Sequence, residues 1–94
     1  MQYFEWDEPK NEGNIRKHEI DFDTACRVFD DQRCFLFIER GEESWHTIGV
    51  VPGAELFVVV VHTYLEEGAD EVIRIISARR ASAAERRIYE EANT

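Results

Sequence analysis

The chain predicts an α+β fold: two N-terminal helices, an antiparallel four-stranded meander sheet preceded by a short N-terminal strand, and one C-terminal helix. Three observations predict it. The front third carries helix-start signals followed by apolar residues at helical spacing. After Asp30-Asp31 the pattern changes to strand-like runs joined by short connections. The chain then closes on a capped helix.

Taken in order, residues 3–6 (YFEW) read as a short strand. Asp7 followed by Glu8 and Pro9 marks a helix start, because proline suits the first turn and acids favour the positive end of the helix dipole. That helix should run to about His18, with Gly13 a weak point costing up to about 1 kcal/mol relative to alanine. Asp21 caps a second helix, in which Phe22, Ala25, Cys26 and Phe29 fall at i, i+3, i+4 and i+7 on one face. Four strands follow: CFLFIE (34–39), SWHTIGVV (44–51), ELFVVVVHTYL (55–65) and EVIRIIS (71–77). Arg40-Gly41-Glu42, Pro52-Gly53 and Glu66-Glu67-Gly68 separate them. Such connections permit hairpins but not parallel crossovers, so a meander with the helices on one face is expected. Ser82 and Glu85 form a Ser-x-x-Glu capping box at the head of the last helix (82–93), worth on the order of 1 kcal/mol.

With 94 residues, residues 1–94 are expected to form a single domain that buries roughly two-thirds of its unfolded surface. Hydrophobic residues make up 44% and aromatics 12%, with two prolines, which argues against disorder. The longest apolar run, LFVVVV (56–61), falls far short of a membrane span. The opening MQYFEWDE turns acidic at once, unlike a secretory leader, so a cytoplasmic location is expected. Cys26 and Cys34 are too few and too isolated for a disulfide framework or a zinc site and are expected as reduced thiols. His46 and His62 lie on strands without metal-ligand spacing; each is expected to be a half-exposed surface residue, and no metal is assigned. Phe35, Phe37, Trp45, Phe57 and Tyr64 are expected in core and sheet packing.

Net charge is -9, unevenly spread: residues 1–38 carry 5 basic and 9 acidic groups, 39–71 carry 1 and 8, and 72–94 carry 5 and 3. An overall negative field argues against promiscuous nucleic-acid binding and leaves only a local positive patch to hold RNA. Such a patch is visible. Arg74, Arg79, Arg80, Arg86 and Arg87 fall within fourteen positions, and guanidinium forks match phosphate oxygens two at a time. Alternation puts Arg74, Ile76, Ala78 and Arg80 on one face of the fourth long strand and Ile73, Ile75, Ser77 and Arg79 on the other, so Arg79 and Arg80 diverge unless the strand ends first. The competing reading is structural: Arg74 or Arg79 closes an ion pair with Asp7, Glu43 or Glu85. On the first helix Lys10, Asn14 and Lys17 or His18 are spaced i, i+4 and i+7 or i+8. A histidine there can transfer protons, or it can cap the carbonyls of its own helix.

Trp6-Asp7-x-x-Lys10, Asn14-x-x-Lys17-His18, Phe22-x-x-Ala25-x-x-Val28-Phe29-Asp30, Ile48-Gly49, and above all Ile75-Ile76-Ser77-Ala78-Arg79-Arg80-Ala81 followed by Glu85-Arg86 and Tyr89 resemble the BrnT toxins of bacterial type II toxin-antitoxin systems. The resemblance implies a small RelE-like domain and a metal-independent endoribonuclease that inhibits translation without a cofactor. It also implies neutralisation by a cognate BrnA-like antitoxin in a hetero-oligomer, with operator DNA contacted only through the antitoxin and no membrane involved. The implied chemistry is attack of a ribose 2′-hydroxyl on the neighbouring phosphate. Arg74, Arg79 and Arg80 are then the phosphate and transition-state groups, since arginine is a poor base; Lys10 and His18 are the proton-handling or RNA-positioning pair, and Lys17 and Arg86 bind RNA. The pattern departs from the family at Glu43-Ser44-Trp45-His46, where a basic residue is expected and His46 is the candidate substitute. The alternative function is a non-catalytic, degenerate toxin that acts only by binding an antitoxin or other partner.

Overall fold

A computed structural model describes residues 2–38 and 43–93. The elements are β1 (Gln2–Glu5), α1 (Glu8–His18), α2 (Phe22–Cys26), a 3-10 turn (Arg27–Asp30), β2 (Phe35–Ile38), β3 (Trp45–Val51), β4 (Leu56–Glu67), β5 (Asp70–Arg80) and α3 (Ala83–Ala92). β2 to β5 form an antiparallel meander. The predicted connection Arg40-Gly41-Glu42 and the predicted strand end at Glu39 lie outside the described residues.

The sheet nevertheless has five strands and is mixed, in the order β1-β5-β4-β3-β2, because β1 pairs parallel with β5 from Gln2↔Glu71 to Glu5↔Arg74. Short connections dictate hairpins only between neighbours in sequence; more than sixty residues separate β1 from β5, ample for a parallel crossover. The second helix also ends sooner than its apolar spacing predicts. Asp21 Oδ1 accepts a 2.6 Å bond from Thr24 N, but after Cys26 the chain tightens into the 3-10 turn.

Helices cover both faces of the sheet rather than one. Val58, Val59 and Val60 are all fully buried, and alternation sends Val59 to the opposite side from its neighbours. A strand apolar on both faces needs a cover on both. On one face Val51, Val58, Val60, Ile73, Ile75 and Ala78 pack under Ile20, Phe22, Ala25 and Val28. On the other, Ile48 and Val59 receive Tyr89 of α3, with Phe57 edge-on to the tyrosine ring at 5.5 Å. Strict alternation along β5 is also corrected. Val61 pairs with Ser77 and His62 with Ile75, leaving Ile76 as an extra, bulged residue. The bulge reverses the phase, so Ala78 joins Ile73 and Ile75 in one core.

Asp31 fastens α3 to the sheet. One carboxylate oxygen accepts from Val50 N at 3.0 Å and from the Tyr89 hydroxyl at 2.7 Å, and the other from Arg33 N at 3.0 Å. Burial works to raise the Asp31 pKa, but these donors outweigh it and hold the carboxyl below its ordinary range. Tyr89 is pushed up to about 12 by burial and by its bond to Asp31. Gly49 leaves room for this arrangement: a Cβ there would sit 2.7 Å from Val28 Cγ1, 3.2 Å from Val28 O and 3.3 Å from Asp31 Oδ2.

His46 and His62 are buried at 5% and 0% exposure, not half-exposed, because both sit on inner strands whose faces are covered. His62 Nε2 and Thr47 Oγ1 share a 2.8 Å hydrogen bond, and the rings of Phe29 and Tyr64 close edge-on at 5.1 and 5.0 Å. Burial, and secondarily His46, lowers the His62 pKa from 6.5 to about 4. Among the described residues no helix is long and apolar enough to cross a membrane.

Two outcomes follow for stability. Gly49→Ala forces a methyl against backbone and side chain and is expected to cost about 1–3 kcal/mol in denaturant unfolding. His62 is kept neutral in the fold while the unfolded chain binds its proton, so stability falls as pH drops from 6.5 towards about 4. Across that window His62→Gln is expected to lose less stability than the parent chain, the difference reaching roughly 3 kcal/mol in melts at matched pH.

Candidate active site

β1 covers the outer edge of β5 only as far as Arg74. Beyond it the strand's outward N–H and C=O groups need another partner, since bare edge groups are costly once water is excluded. Asn14, buried on α1, supplies one. Its Nδ2 donates to Ala78 O and to Ile20 O, each at 2.8 Å, and its Oδ1 accepts from Ala78 N at 3.1 Å. The side-chain amide thus replaces a short piece of strand and docks the C-terminal half of α1 beside the end of β5. At Glu19 the backbone turns left-handed (φ 59°), and its N–H caps the helix on Ile15 O at 2.9 Å.

This docking opens a cleft of about 380 Å3 lined by Arg16, Lys17, His18, Glu19, Arg79 and Arg80. The cations Arg16, Lys17 and Arg80 gather there with one carboxylate, that of Glu19, against the sign of the whole molecule. Arg16, Lys17 and His18 form the last turn of α1, where cations offset the negative end of the helix dipole. The cleft therefore meets side chains of α1 rather than its N-terminal amides. His18 makes no hydrogen bond to a described residue, so it does not cap its own helix.

Because β5 continues to Arg80, the two adjacent arginines do diverge. Arg79 points to the α3 face, where its fork meets Glu85 twice, Nη1 to Oε1 at 2.6 Å and Nη2 to Oε2 at 2.8 Å. The same carboxylate accepts Ser82 N at 2.8 Å, while Ser82 Oγ accepts Glu85 N at 3.2 Å, completing the predicted capping box. Bonds from Arg79 above all, then from Ser82, hold the Glu85 pKa down to about 2. Arg80 points to the opposite face, and its guanidinium has no ion pair or hydrogen bond among the described residues.

Of the residues singled out in the sequence, His18, Lys17, Arg79 and Arg80 come together in this cleft. Lys10 does not line it: eight residues earlier on α1, it lies about 12 Å back along the axis. Arg74 does not line it either; it pairs with Glu5 at 3.0 Å, roughly 20 Å up the strand from Arg80. Arg86 borders neighbouring clefts on α3. His46 stacks on Phe37 inside the sheet and does not stand in for a basic residue at the cleft. Arg16 was not anticipated, although three consecutive basic residues at a helix end were a legible signal.

Fold and cleft together describe a small α+β protein with cations gathered between a helix end and a strand end. The chain belongs to the family described as ribonuclease toxin, BrnT, of type II toxin-antitoxin system, whose model matches residues 6–85. That span runs from Trp6 to Glu85 and contains every residue lining the cleft. No curated protein matches the chain.

Removing the Asn14 amide leaves both Ala78 backbone groups without their partner. Asn14→Ala is expected to lower unfolding free energy by about 2–4 kcal/mol, since each buried group left unsatisfied costs about 1–3. Asn14→Asp, which cannot donate to the two carbonyls, is expected to lose a comparable amount in the same denaturant titration.

Proposed function

We propose that residues 1–94 form one RelE-like domain that acts in the cytoplasm as a metal-independent endoribonuclease, inhibits translation and is neutralised by a BrnA-like antitoxin. The observation that carries the reading is the position of His18: open in a cleft with Arg16, Lys17 and an unpaired Arg80, in a member of a ribonuclease toxin family. Neutral His18 accepts the proton of a ribose 2′-hydroxyl as its oxygen bonds to the adjacent phosphorus. Lys17 donates a proton to the 5′-oxygen as the P–O5′ bond breaks, which leaves a 2′,3′-cyclic phosphate and a 5′-hydroxyl. Arg80 and Arg16 take the charge that builds on the non-bridging oxygens, and side-chain cations thereby fill the role a metal ion has elsewhere. Arg79, fixed by Glu85, sets the wall of the cleft. Arg74 joins β1 to β5 through Glu5, and Lys10, about two turns back on α1, stands outside the cleft. An acidic chain of charge -9 favours fast, specific association with a basic antitoxin, through which alone it meets operator DNA.

The bidentate Arg79–Glu85 pair favours a second reading, a degenerate toxin that binds its partner without cutting RNA. Purified protein incubated with RNA and a chelator separates them. Under the first reading RNA is cut to cyclic-phosphate ends, His18→Ala slows cutting about 10²–10⁴-fold and Arg80→Ala about 10²–10³-fold. Protein that is folded by circular dichroism and leaves RNA intact establishes the second.

A further inference from the structure

Arg80 borders a second cleft as well. On its far side Glu55, Leu56, Phe57, Ala81 and Arg86 join it around a space of about 190 Å3. Arg80 thus stands at the edge of both clefts. The Arg86 guanidinium carbon lies 4.3 Å over the centre of the Phe57 ring, a cation–π contact that sets the guanidinium against an aromatic face. Phe57 is in turn fixed edge-on by Tyr89, and Tyr89 by Asp31, so the platform is held from the core outward. Arg86 is exposed and forms no ion pair among the described residues, even with Glu90 one turn further along α3. At the rim, Glu55 is one of two non-glycine residues with left-handed backbone among those described (φ 50°), and its carboxylate accepts hydrogen bonds only.

We propose that this second cleft is a nucleobase subsite, in which a base carrying an exocyclic amine stacks on Arg86 over Phe57 and donates to Glu55. Guanidinium planes and aromatic rings are the usual platforms for unstacked RNA bases. Adenine, cytosine and guanine each offer an amino donor to a carboxylate; uracil does not. The inference rests on RNA as the ligand of the Arg80 cleft, but not on cleavage there.

The test is equilibrium binding of the full chain to three 2′-O-methyl oligoribonucleotides of equal length and charge, carrying cytosine, uracil or no base, read by fluorescence anisotropy. The parent chain is expected to bind the cytosine oligomer roughly 5-fold or more tighter than the abasic one, with uracil between. Arg86→Lys keeps the charge and loses the planar fork, so the cytosine-to-abasic ratio collapses towards one. Glu55→Gln, which can donate as well as accept, narrows the cytosine-to-uracil ratio. Equal binding of all three oligomers by the parent chain, or an undiminished abasic penalty in Arg86→Lys, overturns the subsite. A chain that shows these ratios yet leaves unmodified RNA uncut keeps the subsite and loses the nuclease.

Discussion

The placement of the cationic cleft hangs on the hydrogen bonds of Asn14. A helix that lies against a strand edge has no reason to stop at a given register, because apolar contact is non-directional. Asn14 removes that freedom: its three bonds reach Ala78 on β5 and Ile20 after the helix, and they are satisfied together only in one position. The last turn of α1 is thereby set beside Arg79 and Arg80. Without the clamp the same cations are surface charges on two separate elements.

A second set of contacts governs the other face of the sheet. Asp31 joins the turn before β2, the middle of β3 and the tyrosine of α3, and Gly49 provides the space that this meeting needs. From Tyr89 the ordering passes to Phe57 and on to Arg86. The two arginines that end β5 belong one to each side. Arg79 is bound into the start of α3, and Arg80 stays available on the side of α1. One strand end therefore contributes a structural guanidinium and an open one from adjacent positions, a direct product of side-chain alternation.

Much of this was legible in the sequence. Short glycine-containing connections gave away the meander, and Ser82 with Glu85 gave away the start of α3. The run Val58-Val59-Val60 also contained the news that both faces are covered, since continuous apolar residues mark a strand buried on each side. Other features depend on long-range pairing that local patterns do not encode. β1 is only four residues long, and its parallel partner is fixed by tertiary packing. The bulge at Ile76 results from pairing with β4, so strict alternation placed Ala78 on the wrong face. The Asn14 motif was visible, yet its amide closes on an alanine 64 positions away. His18, Lys17, Arg79 and Arg80 were recognisable as candidates by residue type, while the exclusion of Lys10 and Arg74 from their cleft required coordinates.

The central claim is that RNA is received where α1 meets the end of β5. The most direct measurement is a backbone amide NMR titration of the isotope-labelled chain with an RNA strand whose 2′-oxygens are removed so that it cannot be cut. The largest shift changes are expected at residues 16–19 and 79–81, with the vicinity of Lys10 and Arg74 changing little. Changes centred on β1, on β2 or on the Glu5–Arg74 pair, with 16–19 silent, would contradict it.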